Sequence, residues 1–161
     1  AMDTLVTNTV TFAAASADAN IETAIALIEA AEHEVNGLAM APAMRTALAA
    51  MKKGTSSNEP LYPELQWGAT PASMNGIAVD TNGTVSFGSA VDRAIVGNFR
   101  DYFRWGFAKQ IPIEMIEYGN PDNDANAGDL AGHNQILIRT EAYIGWGILL
   151  PSAFARIVAS T

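Results

Sequence analysis

Glu114, Glu117 and Glu141 fall on neighbouring predicted strands, and carboxylates brought together there would have the makings of a general acid and base pair. Such a pair works only if its two environments push the pKa values apart. Nothing in the spacing does so in a chain with 17 Asp plus Glu. Arg139 and Glu141, two residues apart and therefore on one strand face, read instead as makers of lateral ion pairs with neighbouring strands or subunits. The other motifs each fail at a position their mechanism needs. Gly54-Thr55-Ser56-Ser57-Asn58 lacks the final glycine of a nucleophile elbow. Gly145-Trp146-Gly147-Ile148-Leu149-Leu150 opens like a dinucleotide fingerprint but puts Leu150 where the third glycine belongs, with no βαβ unit after it. Asp122-Asn123-Asp124-Ala125-Asn126 supplies oxygen ligands for the start of a calcium loop, yet Ala127 replaces the turn glycine and His133 the closing glutamate. His33 and His133 lie far apart in the chain and outside any ligand set. The absence of cysteine removes thiolate metal sites, cysteine nucleophiles and disulfides together. No catalytic residue, cofactor or metal is expected.

Composition narrows the class further. With 161 residues, 49% hydrophobic and 16% charged, the chain is long enough for one sizeable core and apolar enough to offset chain entropy. A formal net charge of −8 repels phosphates, so no specific nucleic-acid sequence is expected as a partner. The longest apolar run, Ile144 to Leu150, is far short of the ~18 residues that span a bilayer, so no membrane is expected either. Ala1-Met2-Asp3 opens with an acid rather than the basic start of a secretory signal, and Ala1 reads as a cloning addition.

The elements that must carry these residues follow from periodicity. Ile21, Ile25 and Ile28, with Ala24, Leu27 and Ala31 beside them, predict a helix over 18–34, capped by Asp18 and stopped near Gly37. Val35 to Met40 predicts a short strand. Pro42 starts a second helix burying Met44, Leu48 and Met51, closed by Lys52, Lys53 and a left-handed Gly54. Thr55 to Pro63 then reads as an exposed loop with few ordering contacts. Ile77–Val79 and Thr84–Phe87 flank Asp80-Thr81-Asn82-Gly83, which predicts a hairpin turned at Asn82-Gly83. Ala94–Val96 and the aromatic stretch Tyr102–Phe107 predict further strands.

The last third carries the longest extended pattern. Ile111, Ile113 and Met115 alternate with polar neighbours in a strand with Pro112 near its start or on an edge. Gly119 to Asn134 is a solvated connection. From Gln135 to Leu150, Ile136, Ile138, Ala142, Ile144, Trp146 and Ile148 share one face, with Arg139, Glu141 and Tyr143 on the other. An extended stretch of this length reaches about 50 Å, so it either bends at Gly145 and Gly147 or projects as a hairpin arm paired with residues 111–118. Projection is favoured, with the apolar face awaiting a neighbouring subunit. The aromatic residues from Phe99 to Phe107, with Trp67 and Trp146, serve either as core or as interface anchors.

The order of these segments resembles the tailed-bacteriophage major capsid protein family. Val35-Asn36-Gly37-Leu38-Ala39-Met40-Ala41-Pro42, a helix ending near 48–53, and Met74-Asn75-Gly76-Ile77-Ala78-Val79 follow its sequence of elements. Ala94-Ile95-Val96-Gly97-Asn98-Phe99 resembles its short strand closed by Gly-Asp-aromatic, with Asn98 where Asp is commoner. Arg139 to Phe154, ending Pro151-Ser152-Ala153-Phe154, resembles its terminal strand. The resemblance spans about residues 18–158 and implies a carboxy-terminal fragment without the family's amino-terminal arm, extended loop and spine helix.

What the resemblance implies is an α+β fold, a mixed sheet with flanking helices and a long protruding β-hairpin arm. It implies a lead-in strand over 1–17, an axial-type domain over 18–110 and a peripheral-type arm over 111–161 that returns to the core. The implied function is a structural, non-enzymatic subunit of an icosahedral bacteriophage or prophage capsid, forming pentamers and hexamers with other copies of itself around DNA. Scaffold or portal proteins are further implied partners, and the virion, with the host cytoplasm during assembly, is the implied location. Gly97, Asn98, Phe99, Arg139, Glu141, Tyr143, Trp146, Pro151 and Phe154 are the family-motif and interface candidates. An encapsulin-type nanocompartment shell is the nearest alternative, followed by a small acidic α+β enzyme and a binding module using loops 55–70 and 119–134. Without the arm and loop that lock neighbours, the chain is expected to be monomeric or weakly associated in dilute solution.

Overall fold

Leu38, Met40, Val79, Ala94, Val96, Ala155 and Ile157 take alternate positions along four strands, and all are buried in one core with residues of two helices. That alternation is what a sheet covered on one face by helices requires. The computed structural model describes residues 5–54, 56–86, 92–120 and 129–159. Two compact units form, one from Ala1–Arg104 with Ile148–Thr161 and the other from Trp105–Gly147. The chain thus crosses between units after Arg104 and again before Ile148.

The first unit is built on a six-stranded mixed sheet. Its strands are β1 (Thr9–Thr11), β2 (Gly37–Met40), β3 (Ser73–Met74), β4 (Ile77–Thr81), β5 (Asp92–Gly97) and β8 (Phe154–Val158), in the spatial order β1-β8-β5-β2-β4-β3. β1 runs parallel to β8 and β2 parallel to β4, while the β8–β5, β5–β2 and β4–β3 pairs are antiparallel. Helices α1 (Ala17–Glu29) and α2 (Pro42–Ala49) supply Ala17, Ala24, Ile28, Met44 and Leu48 to the core.

Several local signals act differently from the sequence reading. Helix α1 ends at Glu29 rather than Glu34, because Glu32 turns into the left-handed region at φ 60°. Gly37 is therefore no cap but the first residue of β2, where a Cβ would lie 2.7 Å from Phe99 Cδ2. Asp18 accepts from the Ala19 amide at 2.7 Å within the first turn, one residue inside the helix start. Helix α2 stops at Ala49, and Gly54 does not adopt a positive φ. Lys53 instead enters the following loop, pairing with Glu59 at 2.6 Å. Backbone bonds from Lys53 N to Glu59 O and from Leu61 N to Met51 O pin that loop, which is better ordered than its composition suggests.

The hairpin is also displaced. Asn75 and Gly76 carry φ of 48° and 84° and join β3 to β4 as a two-residue turn, with Met74 opposite Ile77. Asn82-Gly83 does not turn a hairpin. Asn82 Oδ1 accepts from Thr84 N at 2.9 Å and leads into a 3-10 turn over Gly83–Ser86. Phe87, the end of the expected return strand, lies outside the described residues.

The second unit holds most of a two-stranded sheet of β6 (Phe103–Ile116) and β7 (Leu137–Ile148). β6 begins eight residues before Ile111, so Pro112 falls inside the strand. Two-stranded pairing leaves each strand an open edge that accommodates a proline. β7 continues through Gly145 and Gly147 without interruption. Between the strands, Gly119 N donates to Asp129 Oδ1 at 2.6 Å, and Asn134 takes a left-handed conformation at φ 52° after a 3-10 turn over Ala131–His133. The calcium-loop-like stretch beginning at Asp122 lies outside the described residues.

Candidate functional site: a motif turn and an apolar ribbon

Gly97, at the end of β5, has no room for a side chain. A Cβ there would meet Phe154 Cδ1 at 2.3 Å and the Ala153 carbonyl at 2.8 Å. The fully buried Phe154 ring uses that space. It packs edge-on against Phe99, with ring centres 5.3 Å apart and an interplanar angle of 84°. Val6, Ala153, Phe103 and Ile148 complete this second core. Pro151 begins the 3-10 turn that delivers Phe154, its fixed φ suiting a first helical position.

Asn98 starts the single-turn helix α3 (Phe99–Tyr102). Its Oδ1 accepts from Asp101 N at 3.0 Å and from Asn36 Nδ2 at 2.6 Å, while its own Nδ2 donates to Asp101 Oδ2 at 2.9 Å. Asn36 Oδ1 in turn accepts from the amides of Phe99 at 3.0 Å and Arg100 at 3.4 Å. An aspartate at 98 would lack the donor that meets Asp101, so the departure from Gly-Asp-aromatic is matched here by its neighbours. The sequence reading missed Asn36 and Asp101 as partners. The signal was two asparagines, each beside a glycine, on strands that turn out to be paired through Gly37 and Gly97.

Arg156 is a further residue that no local pattern in the chain singles out. It is almost fully buried on β8, and its Nε and Nη2 reach Asp92 Oδ1 at 2.9 and 2.7 Å. The register between β5 and β8 slips at Arg93, a bulge that places this pair at the sheet's edge of regularity.

The second unit presents the remaining candidates. Arg139 Nη2 bonds Glu141 Oε1 along the same strand, so this ion pair is closed within β7 rather than left for a neighbouring strand. Tyr143 and Trp146 are about half exposed. The apolar rows of both strands lie open. Trp105, Phe107, Ile113 and Met115 take alternate positions on β6, and Ile138, Ile144 and Trp146 do so on β7, with exposures reaching 72% at Ile113 and 66% at Ile138. Trp105 and Phe107 touch edge to face with centres 5.7 Å apart. Glu114 and Glu117 are exposed, and Glu141 pairs with Arg139. Among the described residues no group of three or more His, Cys, Asp or Glu could hold a metal ion.

Comparison with known proteins bears on both features. The phage capsid family model matches residues 2–159. No curated protein matches the chain. A solved chain from Mycobacterium phage Ogopogo aligns with a TM-score of 0.78 at 31% identity, over 96% of this chain and 54% of its own. One from Gordonia phage Cozz aligns with a TM-score of 0.78 at 26% identity, over 100% of this chain and 52% of its own. A chain from the capsid of an empty GTA particle shares the fold, at a TM-score of 0.62 and 16% identity. The chain spans about half the length of these relatives. A mixed sheet whose Gly97 turn is locked by Phe154, a two-stranded ribbon, and a family model covering nearly every residue lead to one statement: this chain belongs to the phage capsid family.

Proposed function

We propose that the chain is a structural subunit of an icosahedral bacteriophage or prophage shell, assembling with other copies of itself into pentamers and hexamers. Its role is mechanical rather than catalytic, its place is the virion, and it reaches that place from the host cytoplasm. Scaffold and portal proteins are its further partners during assembly.

The observation that carries this reading is the ribbon of β6 and β7, which leaves two rows of large apolar side chains uncovered. An isolated two-stranded sheet is marginal in water, and apolar patches of this kind mark interfaces. Each exposed Ile or Trp buried in a contact contributes ~1.5–3 kcal/mol, so a few suffice to offset the entropy of association. The −8 charge suits a container for DNA, which must not hold the duplex tightly.

The test compares the wild-type chain with an Ile138→Ser/Ile144→Ser/Trp146→Ser variant by sedimentation across a wide concentration range, with electron microscopy of the concentrated samples. Wild type is expected to pass from weakly associated species to rings or shell fragments, and the variant to stay monomeric. A wild-type chain that remains a monomer at every concentration overturns the reading.

A further inference from the structure

Trp67 breaks the rule that large aromatics are buried. Its side chain is fully exposed, and its backbone is held in the left-handed region at φ 58°. Both features are unfavourable for a residue of this type. The turn that holds it is firmly seated. Leu65 is buried in the core, and Gln66 Nε2 donates to Ala49 O at 2.8 Å at the end of α2. The indole is thus displayed on the helix-covered side of the first unit.

The opposite face of the same sheet carries a shallow groove. Ala39 and Ala78, on paired strands β2 and β4, form its floor, with Phe99 and Arg100 along one side and Asp80 on the other strand. These positions alternate with Leu38, Met40 and Val79, which face the helices, so the groove lies on the open face. Asp80 and Arg100 are exposed, and neither side chain has a partner among the described residues. Trp67 is flanked by the reverse pair. Arg45 Nη1 reaches the Leu65 carbonyl at 3.5 Å, and Glu64 is exposed beside it.

We propose that Trp67 of one copy of this chain docks into the Ala39–Ala78–Phe99 groove of the next copy, head to tail. This rests on the shell-subunit reading and names one contact within it. A second copy is the occupant because ring and floor are both apolar and the two charge pairs are complementary. Knob and groove lie on opposite sides of the sheet, so the contact is made between copies, and its repetition builds a ring where the rotation per copy closes. The indole N–H donates to Asp80, and its ring lies against Phe99.

The chain has no cysteine, which makes a mixed-disulfide test clean. Thr70→Cys and Ala78→Cys proteins are mixed at high concentration and oxidised. The expected result is a mixed dimer in excess of either homodimer, reduced about tenfold or more when Trp67→Ala is added to the Thr70→Cys protein. Ala39→Arg in the Ala78→Cys protein, which blocks the groove and leaves Trp67 intact, is expected to do the same, with circular dichroism confirming that each variant is folded. Equal homodimers, a mixed dimer indifferent to Trp67, or no disulfide at all overturns the proposal. The ribbon variant's sedimentation, run in parallel, separates the two readings. Loss of this contact with ribbon-dependent association intact sinks the docking alone, and loss of both sinks the shell reading with it.

Discussion

The side-chain amides of Asn36 and Asn98 meet at 2.6 Å, Nδ2 of the first donating to Oδ1 of the second across strands β2 and β5. Each then serves backbone amides of helix α3 that have no partner within so short a helix. Asn98→Ala removes both acceptor and donor from a buried site and is expected to cost about 2 kcal/mol. Asn98→Asp keeps the acceptor but sets a second carboxylate beside Asp101, so it is expected to destabilise the chain. Adding Asp101→Asn is expected to restore most of the loss. Urea midpoints of the three variants check this.

Gly97→Ala places a methyl group where Phe154 and the Ala153 carbonyl already lie, and it is expected to cost about 3 kcal/mol. Phe154→Ala, which empties the second core, is expected to cost about 3–5 kcal/mol. Because the two residues share one space, the double variant is expected to lose less than the sum. A double-mutant cycle by denaturant unfolding measures the difference.

Tyr62 is partly buried, and this desolvation, followed by the nearby charges of Asp18, Glu22 and Glu64, raises its pKa above the usual 10.0. The unfolded chain therefore releases the phenolic proton before the folded one does. The sign follows: stability is complete below pH ~10 and falls as pH rises toward the folded pKa. Tyr62→Phe is expected to flatten this alkaline decline while leaving stability near pH 7 little changed, as read from thermal unfolding at a series of pH values.

Ribbon substitutions should separate association from folding. Ile138, Ile144 and Trp146 leave between about half and two thirds of their surface exposed, so replacing each singly with serine is expected to move the unfolding midpoint by less than about 0.5 kcal/mol equivalent. Self-association of the same proteins is expected to weaken markedly. Calorimetry beside sedimentation gives both numbers on one sample.

How far the sequence carries can be judged residue by residue. The helical faces were legible because Ile28, Met44 and Leu48 repeat at helical spacing, and that spacing survives folding. Extended pairing in the last third was legible because alternation over so many residues has no helical counterpart. Turn chemistry was ambiguous where two Asn-Gly pairs competed. Asn75-Gly76 took the hairpin because Met74 and Ile77 flank it directly, whereas Asn82 spends its side chain on Thr84. Gly37 looked like a helix stop because sequence shows only that a side chain is missing, not that Phe99 needs the room. The spacing of Arg139 and Glu141 suits outward ion pairs, yet it also lets the two close on each other. Asp92 with Arg156, and Asn36 with Asn98, are long-range pairs that no local pattern announces.

The strand order has a consequence for synthesis. β8, residues 154–158, lies between β1 and β5, so β1 has no neighbour in its sheet until a strand from the far end of the first unit has been made. Helix α1 waits on an unfinished floor for the same interval. A stalled or shortened product missing these few residues would lose a central plank rather than an edge, leaving it a substrate for chaperones and proteases. Only chains translated past β8 can complete the first unit's sheet.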